Sequence, residues 1–437
     1  MSNDLLHIVD IDHEGRGVAK KEEKTFFIHN ALIDEKVEYK ILKKKKNIFF
    51  GIATHIENPS PVRADPSCPH YNVCGGCSMQ HFKHSSQIEF KNNAFFQTLK
   101  HIGKVVPESQ IEPIFLEFSE YRHKARLRAK YVDKKDKVLV GFNERLTHFL
   151  TDMDSCEVLP GRISSCLGEI KSLIKNLSIY NRMPQIEYAS NGERDIFIFR
   201  ILDPLSNDDI KKLSEFSNAR NIEIWTQSKG PETVKPLFPE RDSEIISYPI
   251  AKHELNLEFN PSGFIQINPY INQLMIDKAL ELLNLNPQDE VVDFFSGLGN
   301  FTLPIAKYAH SVIGIEGSED LVNLGQKNAD LNNLNNVSFQ YSNLFEVDVD
   351  FVNSLKNRNK WLLDPPRDGA MQLLELISKD TVLPETIVYV SCNPATLARD
   401  ANILVNDKGY KYQSAGILNM FPHTSHIESI SLFTYED

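Results

Sequence analysis

The chain lacks the features that would place it in a membrane or in a secretory pathway. No apolar run approaches the ~18 residues that a membrane-spanning helix needs. The first ten residues, MSNDLLHIVD, have neither the basic nor the apolar region of a secretory signal. We therefore expect a cytoplasmic protein with no membrane partner.

Positive charge is also in short supply. There are 48 Lys and Arg against 59 Asp and Glu, which gives a net charge of −11. This balance argues against a protein that covers nucleic acid with its whole surface, although it leaves room for a local basic groove.

Cysteine is scarce, with six in 437 residues. The rest of the composition, 41% hydrophobic and 24% charged, is typical of a folded globular protein, and the length suits two or three domains. Because a cytoplasmic chain keeps its thiols reduced, clustered cysteines point to metal binding or catalysis rather than to disulfides. They are Cys68, Cys74, Cys77, Cys156, Cys166 and Cys392.

The sequence pattern divides the chain into three parts. Residues 1–60 contain short β-segments separated by turns, which predicts a small OB-type β-barrel. Residues 61–250 follow a Pro-rich boundary, and their alternating segments predict an antiparallel sheet domain. A helix at about 85–103, ending at Gly103, could pack on the third part instead. Residues 251–437 alternate short apolar strands with helices, which predicts a mostly parallel sheet closed by an antiparallel pair.

Two basic segments interrupt this acidic chain. Lys124, Arg126, Arg128 and Lys130 alternate along a predicted strand, which would place their side chains on one face. Residues 120–137 hold eight Lys and Arg against three Asp and Glu. Both a solvated strand face and an RNA track fit this pattern. The run Lys43–Lys46 is either a solvated turn or a contact with a phosphate backbone.

A glycine-containing turn, DFFSGLGN at 293–300, follows a predicted strand and opens a helix. Gly297 and Gly299 would let the backbone pass close to a ligand, but Thr302 stands where a dinucleotide fingerprint has a third small residue. Glu316 ends the next strand and could accept both ribose hydroxyls of a nucleoside, or it could simply begin a helix. In this context S-adenosylmethionine fits better than a dinucleotide.

Polar residues follow several of the predicted parallel strands, at the sheet edge where such folds bind ligands. The prolines after Asp364 would hold its carboxylate rigidly at a strand end. Cys392 lies between a strand and a helix, and a helix amino terminus is expected to lower the pKa of a thiol. Glu428, on the closing pair, would by itself be read as solvated. The residues predicted at the edge are Asp293, Glu316, Asn343, Asp364 and Cys392.

The spacing of Cys68, Cys74 and Cys77, with Cys156 or Cys166 as a distant fourth, supplies four soft thiolates. From spacing alone, zinc and an iron–sulfur cluster are equally consistent with this set.

Six segments together resemble the RNA uracil-5-methyltransferase family; they are SCNPATLARD, FPHTSHIES, DPPRDG, GFIQIN, DFFSGLGNF and CPHYNVCGGC. The likeness covers nearly the whole chain. It is greatest to the branch that acts on bacterial 23S ribosomal RNA and carries an N-terminal TRAM barrel and an iron–sulfur cluster. The resemblance implies a TRAM barrel at 1–60, a central α+β domain with the cluster at 61–250, and an α/β, Rossmann-like class I methyltransferase domain at 251–437.

The same resemblance implies a role for individual residues. The nucleophile falls on Cys392 and the general base on Glu428. Contacts to S-adenosylmethionine fall on Gln266, Phe295, Asn300, Glu316, Asn343 and Asp364. Ligands of a [4Fe–4S] cluster fall on Cys68, Cys74, Cys77 and Cys156, which leaves Cys166 to the core. Ser296 stands where many members have Cys, a departure without an assigned role.

The implied activity is methylation of C5 of a uridine in 23S ribosomal RNA by a monomer, with the target base flipped out of its stack. A tRNA uracil-5-methyltransferase would share Cys392 and Glu428, but the barrel and cysteine cluster resemble the ribosomal branch. An amino-group methyltransferase would use the Asp364 motif and need no thiol. A non-catalytic RNA-binding iron–sulfur protein would not bind S-adenosylmethionine.

Overall fold

The structure, a computed structural model, describes residues 5–117, 119–241 and 243–436. The strands are β1 (Leu6–His7), β2 (Asp10–Ile11), β3 (Gly17–Lys21), β4 (Lys24–His29), β5 (Lys36–Lys45), β6 (Ile48–Glu57), β7 (Ser109–Gln110), β8 (Lys124–Val132), β9 (Lys137–Gly141), β10 (Gln185–Ser190), β11 (Asp195–Arg200), β12 (Glu223–Gln227), β13 (Val234–Phe238), β14 (Ile246–Ile250), β15 (Leu255–Phe259), β16 (Glu290–Phe294), β17 (Ser311–Glu316), β18 (Val337–Tyr341), β19 (Lys360–Leu363), β20 (Thr386–Ser391), β21 (Lys411–Leu418) and β22 (Glu428–Thr434). The helices are α1 (His84–Thr98), α2 (Gly161–Ser164), α3 (Leu167–Lys175), α4 (Asn207–Arg220), α5 (Pro269–Leu283), α6 (Thr302–Ala306), α7 (Glu319–Leu331), α8 (Val349–Asn353), α9 (Met371–Leu376) and α10 (Pro394–Asn402). Within the described ranges, no helix is at once long and apolar enough to cross a membrane.

The first six strands form one sheet in the order β1-β5-β6-β4-β3-β2. Its apolar core includes Ile8, Phe26 and Val37. Most of the lysine run, for which a solvated turn was one of two interpretations, extends β5, and Lys46 alone takes the left-handed conformation of the turn, with φ of 52°. All of these lysines are exposed.

The second sheet has the order β13-β12-β11-β10-β8-β9 and is mixed, so the prediction of a wholly antiparallel sheet was wrong. Strands β11 and β12 run parallel because α4 crosses over between them. This helix begins with a capping box, in which Ser206 and Asp209 satisfy each other's backbone N–H groups. Helix α3 covers one face of the sheet, where Leu127, Ile170 and Phe197 share a core.

The largest sheet has the order β18-β17-β16-β19-β20-β22-β21-β7. The run from β18 to β20 is parallel, and β22 pairs antiparallel with both β20 and β21, as the sequence predicts. Both faces are apolar: Val291 and Leu362 lie in one core, whereas their neighbours Val292 and Leu363 lie in the other. Burial on both faces is what a parallel sheet covered by helices requires.

Helix α1 packs on this sheet's second core rather than on the sheet that follows it in sequence. It continues as a π-helical segment, Leu99–Gly103, that contacts α10. A Cβ on Gly103 would lie 2.6 Å from the carbonyl oxygen of Ala398, so only glycine allows this approach. Asn402 also donates to the carbonyl of Gly103 at 2.7 Å.

Candidate active site

One cavity of about 740 Å³ lies at the carboxyl ends of the parallel strands. Every side chain assigned from sequence to catalysis or to cofactor contact lines it. They are Gln266, Phe295, Asn300, Glu316, Asn343, Asp364, Cys392 and Glu428.

The turn between β16 and α6 forms the floor of one half of this cavity. Phe295, Gly297 and Gly299 all have positive φ, at 60°, 55° and 101°. A Cβ on Gly299 would lie 3.0 Å from Leu303 Cγ and 3.2 Å from the Phe339 ring, so glycine fits the tight space there as well as the positive φ. The Gly297 N–H donates to Glu316 Oε2 at 3.0 Å, which fixes that carboxylate against the turn.

Asparagine side chains hold the walls of the same half. Asn300 and Asn272 of α5 exchange two amide hydrogen bonds of 2.9 and 3.0 Å, and Tyr248 donates to Asn300 Oδ1 at 3.2 Å. Asn343 accepts from the N–H of Phe345 at 3.2 Å, which shapes the loop after β18. These contacts orient polar atoms around the space that the turn leaves open.

Asp293, predicted at the ligand edge, does not line the cavity; it is fully buried beneath the turn. The Thr302 hydroxyl donates to Asp293 Oδ2 at 2.5 Å. Burial raises the pKa of Asp293 to about 8. The contact between Asp293 and Thr302 therefore stabilises the turn from its buried side.

Asp364 follows β19, and its N–H donates to the carbonyl of Phe294 at 3.3 Å. The loop after it is tied to α10, because Arg399 donates to the carbonyl of Asp368 and the Ala370 N–H donates to Asp400, at 2.8 and 2.7 Å. The surrounding protein displaces water and raises the pKa of Asp364 to about 7.

Cys392 and Glu428 meet on the other side of the cavity. Strands β20 and β22 are antiparallel neighbours with Ser391 opposite Ser429, so Cys392 and Glu428 occupy the next position beyond that pair. Burial, helped by Asp364, holds the pKa of Glu428 well above its ordinary range.

The expected lowering of the thiol pKa is not found. Helix α10 does begin just after Cys392, with Asn393 as its cap. However, burial and the carboxyl groups of Glu428 and Asp364 raise the pKa of Cys392 to about 11, and Arg367 opposes this only in part. Two acidic neighbours in a partly desolvated cavity outweigh one helix terminus.

A second cleft, of about 1000 Å³, opens from Cys392 and reaches the first sheet. His29 of β4, Ser78 and Arg145 line it. Arg145 holds the cysteine-bearing segment by donating to the carbonyls of Tyr71 and Cys77 at 2.8 and 2.6 Å. The cleft therefore joins the first sheet, the cysteine segment and the catalytic cavity.

The basic strand β8 has the predicted alternation, with one correction. Arg126, Arg128 and Lys130 are exposed in a groove of about 1060 Å³. Lys124 is instead half-buried, and its Nζ donates to the carbonyls of Pro261 and Gly263. Lys124 thus holds the loop that contains Pro261 and Gly263 and leads to Gln266. Phe142 and Asn143 line both this groove and the cleft, so the two surfaces are continuous. Asn143 also accepts a hydrogen bond from Arg128 at 2.9 Å, which links the basic strand to this shared lining.

The structure brings four cysteines toward one place. Cys74 and Cys156 belong to one buried cluster, and Cys77 packs against it. Burial is the largest cause of the raised pKa of the Cys77 thiol, and nearby Cys156, Cys74 and Cys68 raise that pKa further. Cys166 lies apart from this influence, with its thiol donating to the carbonyl of Arg162 at 2.9 Å.

In the part of the chain that the structure describes, no three or more His, Cys, Asp or Glu side chains are arranged as the ligands of one metal ion. A tetrahedral zinc site would require sulfurs about 2.3 Å from one ion. The four converging thiols do not form such a site.

Several residues of the cavity had no role assigned from sequence. Arg367 and His426 lie within quoted motifs, so their positions could have been found there. Phe264 and Phe421 also line the cavity and also lie within quoted motifs, and Phe264 is 73% exposed. Tyr248 lines the cavity as well. Tyr248 is on a strand of a different sheet, and no local pattern links it to the cavity.

Comparisons with known proteins identify the family of this chain. A family model described as tRNA (Uracil-5-)-methyltransferase matches residues 85–435. A relative from Chromobacterium violaceum is 44% identical over 98% of this chain and 84% of its own length. A relative from Francisella tularensis subsp. novicida is 44% identical over 98% of this chain and 95% of its own length. Both are named 23S rRNA (uracil(1939)-C(5))-methyltransferase RlmD.

A solved structure shares the fold over nearly all of this chain. It is the Pyrococcus abyssi tRNA (uracil-54, C5)-methyltransferase in complex with S-adenosyl-L-homocysteine. The TM-score is 0.73 at 22% identity, with 98% of this chain and 99% of that chain covered.

Proposed function

The chain belongs to the tRNA (uracil-5-)-methyltransferase family, and from this premise we propose that it methylates C5 of a uridine in 23S ribosomal RNA. The observation that carries the proposal is a thiol opposite a carboxylate in a cavity that also contains a nucleoside-type turn. The names of relatives over nearly the full length favour ribosomal RNA and a site equivalent to uracil 1939. We take the protein to act as a cytoplasmic monomer.

The chemistry explains why a thiol and a carboxylate are needed. C5 of uracil is a weak nucleophile, so the Cys392 thiolate first bonds to C6, and the displaced electron pair becomes available at C5. S-adenosylmethionine, when bound, supplies an electrophilic methyl group on a sulfonium. Glu428 then takes the C5 proton, the C5–H electron pair restores the C5=C6 bond, and the C6–S bond breaks to release the Cys392 thiolate.

The raised pKa values fit this division of labour. A carboxylate with a raised pKa is a stronger base, which suits Glu428 for removing a proton from carbon. Burial and the neighbouring carboxyl groups raise the pKa of Cys392 to about 11, which favours the protonated thiol at pH 7. Cys392 and Glu428 would both gain from a positive charge bound beside them, because it stabilises the thiolate and the carboxylate.

We assign the cofactor half of the cavity to S-adenosylmethionine. Glu316 would accept hydrogen bonds from the ribose hydroxyls, since its carboxylate is already oriented by the Gly297 N–H. The remaining contacts would come from Gln266, Phe295, Asn300, Asn343 and Asp364, all of which line the same cavity.

The RNA would enter along the cleft and the groove of β8. The target uridine must leave its stack to reach Cys392, at a cost of a few kcal/mol. Arg126, Arg128 and Lys130 would offset that cost by contacting phosphates, and the first sheet, as a TRAM-type barrel at residues 1–60, would hold neighbouring nucleotides.

We further propose that Cys68, Cys74, Cys77 and Cys156 hold a [4Fe–4S] cluster. The thiols converge from two segments, and a cluster separates its four sulfurs more than a single ion does, because each cysteine binds a different iron. Its role would be to join residues 61–250 to the RNA surface beside the methyltransferase domain at 251–437. Methyl transfer is redox-neutral and requires no electron from it.

A trapping assay tests the function. The protein is incubated with S-adenosylmethionine and a large-subunit RNA fragment carrying 5-fluorouridine at the target. Fluorine cannot leave as a proton, so a methylated RNA–protein adduct should survive denaturation with wild type and be absent with Cys392→Ala. Adducts only with tRNA would support the tRNA enzyme instead. Methylation without dependence on Cys392 would support an amino-group methyltransferase.

A further inference from the structure

The loop 419–427 joins β21 to β22 and delivers the proposed base to the cavity; we call it the base loop. Phe421 and His426 from this loop line the cavity, and Glu428 follows it directly. The position of the Glu428 carboxylate therefore depends on how firmly the base loop is held.

Contacts from behind hold the base loop in place. The N–H groups of Ser78 and Met79 both donate to the carbonyl of His423 at 2.9 Å. Tyr121 donates to the carbonyl of Pro422 at 3.0 Å. On α1, Gln87 Oε1 accepts from the N–H of His423 at 3.0 Å.

Lys91 of α1 makes the most unusual of these contacts. It is only 1% exposed, and its Nζ donates to Asn419 Oδ1 at 2.8 Å and to the carbonyl of Phe421 at 2.9 Å. Both partners are uncharged, and they stand at the beginning of the base loop. One side chain on a rigid helix thus fixes two positions of that loop.

Burying an amine among neutral partners costs free energy, so the buried position of Lys91 points to a specific role for its contacts. Burial lowers the pKa of Lys91 to about 7. His84 and His423 face it, and burial lowers the pKa of each. The contact survives loss of the proton, because a neutral amine still has two N–H bonds for its two acceptors.

We propose that Lys91 is a positioning residue that holds the base loop so that Glu428 reaches the proton on C5. The inference rests on the proposed function. The nucleophile is held differently, since Cys392 stands between β20 and the capped start of α10. Loss of the Lys91 contacts should therefore slow removal of the proton more than formation of the Cys392 adduct.

The test compares Lys91→Met, which keeps the length of the side chain but removes its donors, with Lys100→Met, an exposed lysine just beyond α1. The substrate is large-subunit RNA with natural uridine and a labelled methyl donor. Turnover and the amount of denaturation-resistant RNA adduct are measured together. We expect Lys91→Met to turn over ~10- to 100-fold more slowly and to accumulate methylated adduct, since a small misplacement of a catalytic group costs that much. Lys100→Met should match wild type.

Lys91→Gln serves as the second variant, because its shorter side chain keeps an amide donor. Partial recovery of turnover, with less adduct than Lys91→Met, supports the proposal. The proposal is overturned if Lys91→Met behaves like wild type. It is also overturned if adduct formation and turnover fall in equal proportion in Lys91→Met. Failure of the proposed function itself looks different, because wild type would then give neither methylated uridine nor an adduct with 5-fluorouridine RNA.

Discussion

Cys392 and Glu428 stand opposite each other across two antiparallel strands, one position beyond the pair Ser391–Ser429. The two groups share one cavity, so the charge on either raises the free energy of charging the other. Burial, together with the carboxyl groups of Glu428 and Asp364, raises the pKa of the Cys392 thiol and so favours its protonated form.

The reactivity of Cys392 should rise steeply with pH. Its pKa is raised to about 11, so the neutral thiol is the favoured form at pH 7 and the thiolate fraction grows ~10-fold per pH unit below that value. The measurement is the rate of alkylation by iodoacetamide between pH 7 and 9, followed by mass spectrometry of the Cys392 peptide. Glu428→Gln, which removes a neighbouring acid, should react faster at each pH. A rate independent of pH above 7 would show that the thiolate is already formed.

Glu428→Gln should separate the two halves of the reaction. Glutamine keeps the size of the side chain but cannot accept the C5 proton, so we expect turnover to fall by ~10²- to 10⁴-fold. Methylated RNA should remain bound to Cys392 and appear as an adduct with natural uridine on a denaturing gel. Cys392→Ala, by contrast, should give neither product nor adduct. Normal turnover in Glu428→Gln would assign the proton to another base.

The sequence predicted the parallel sheet and its ligand edge because each strand carries a local apolar pattern and a polar residue at its end. Cys392 and Asp364 were found in this way. Glu428 required the family motif, since a carboxylate on a strand has no local signal of burial. The raised thiol pKa could not be predicted, because it depends on residues distant in sequence that the fold brings together. For the same reason Lys124 was assigned to the RNA face, although its partners lie more than a hundred residues away.

The exposed face of β8 should contribute to RNA affinity through charge. In the double variant Arg128→Gln and Lys130→Gln, RNA binding should weaken, and the dependence of log K on log salt should become less steep by ~0.7 per lost phosphate contact. The control variant leaves the groove unchanged. It combines Lys211→Gln with Lys235→Gln, which removes two exposed charges from α4 and β13. An unchanged salt dependence in the groove variant would mean that this face is merely solvated.

The four converging cysteines should bind iron, and Cys156 rather than Cys166 should be the fourth ligand. After anaerobic purification, we expect the full chain to contain iron and to show the visible absorbance of an iron–sulfur cluster. Cys156→Ser should lose both, because serine offers a poor ligand where a soft thiolate is needed. Metal analysis that finds zinc in place of iron would favour the zinc alternative left open by the spacing.

Cys166→Ser is the matched control for that experiment. Cys166 is also buried, but its thiol donates to the carbonyl of Arg162 and packs in the core of the second sheet. A serine hydroxyl can keep this hydrogen bond, so we expect a loss of ~1 kcal/mol in stability with iron content unchanged. Iron retained in Cys156→Ser but lost in Cys166→Ser would reverse the assignment. Iron lost in both would mean that folding of this core, rather than ligation by one thiol, controls cluster binding.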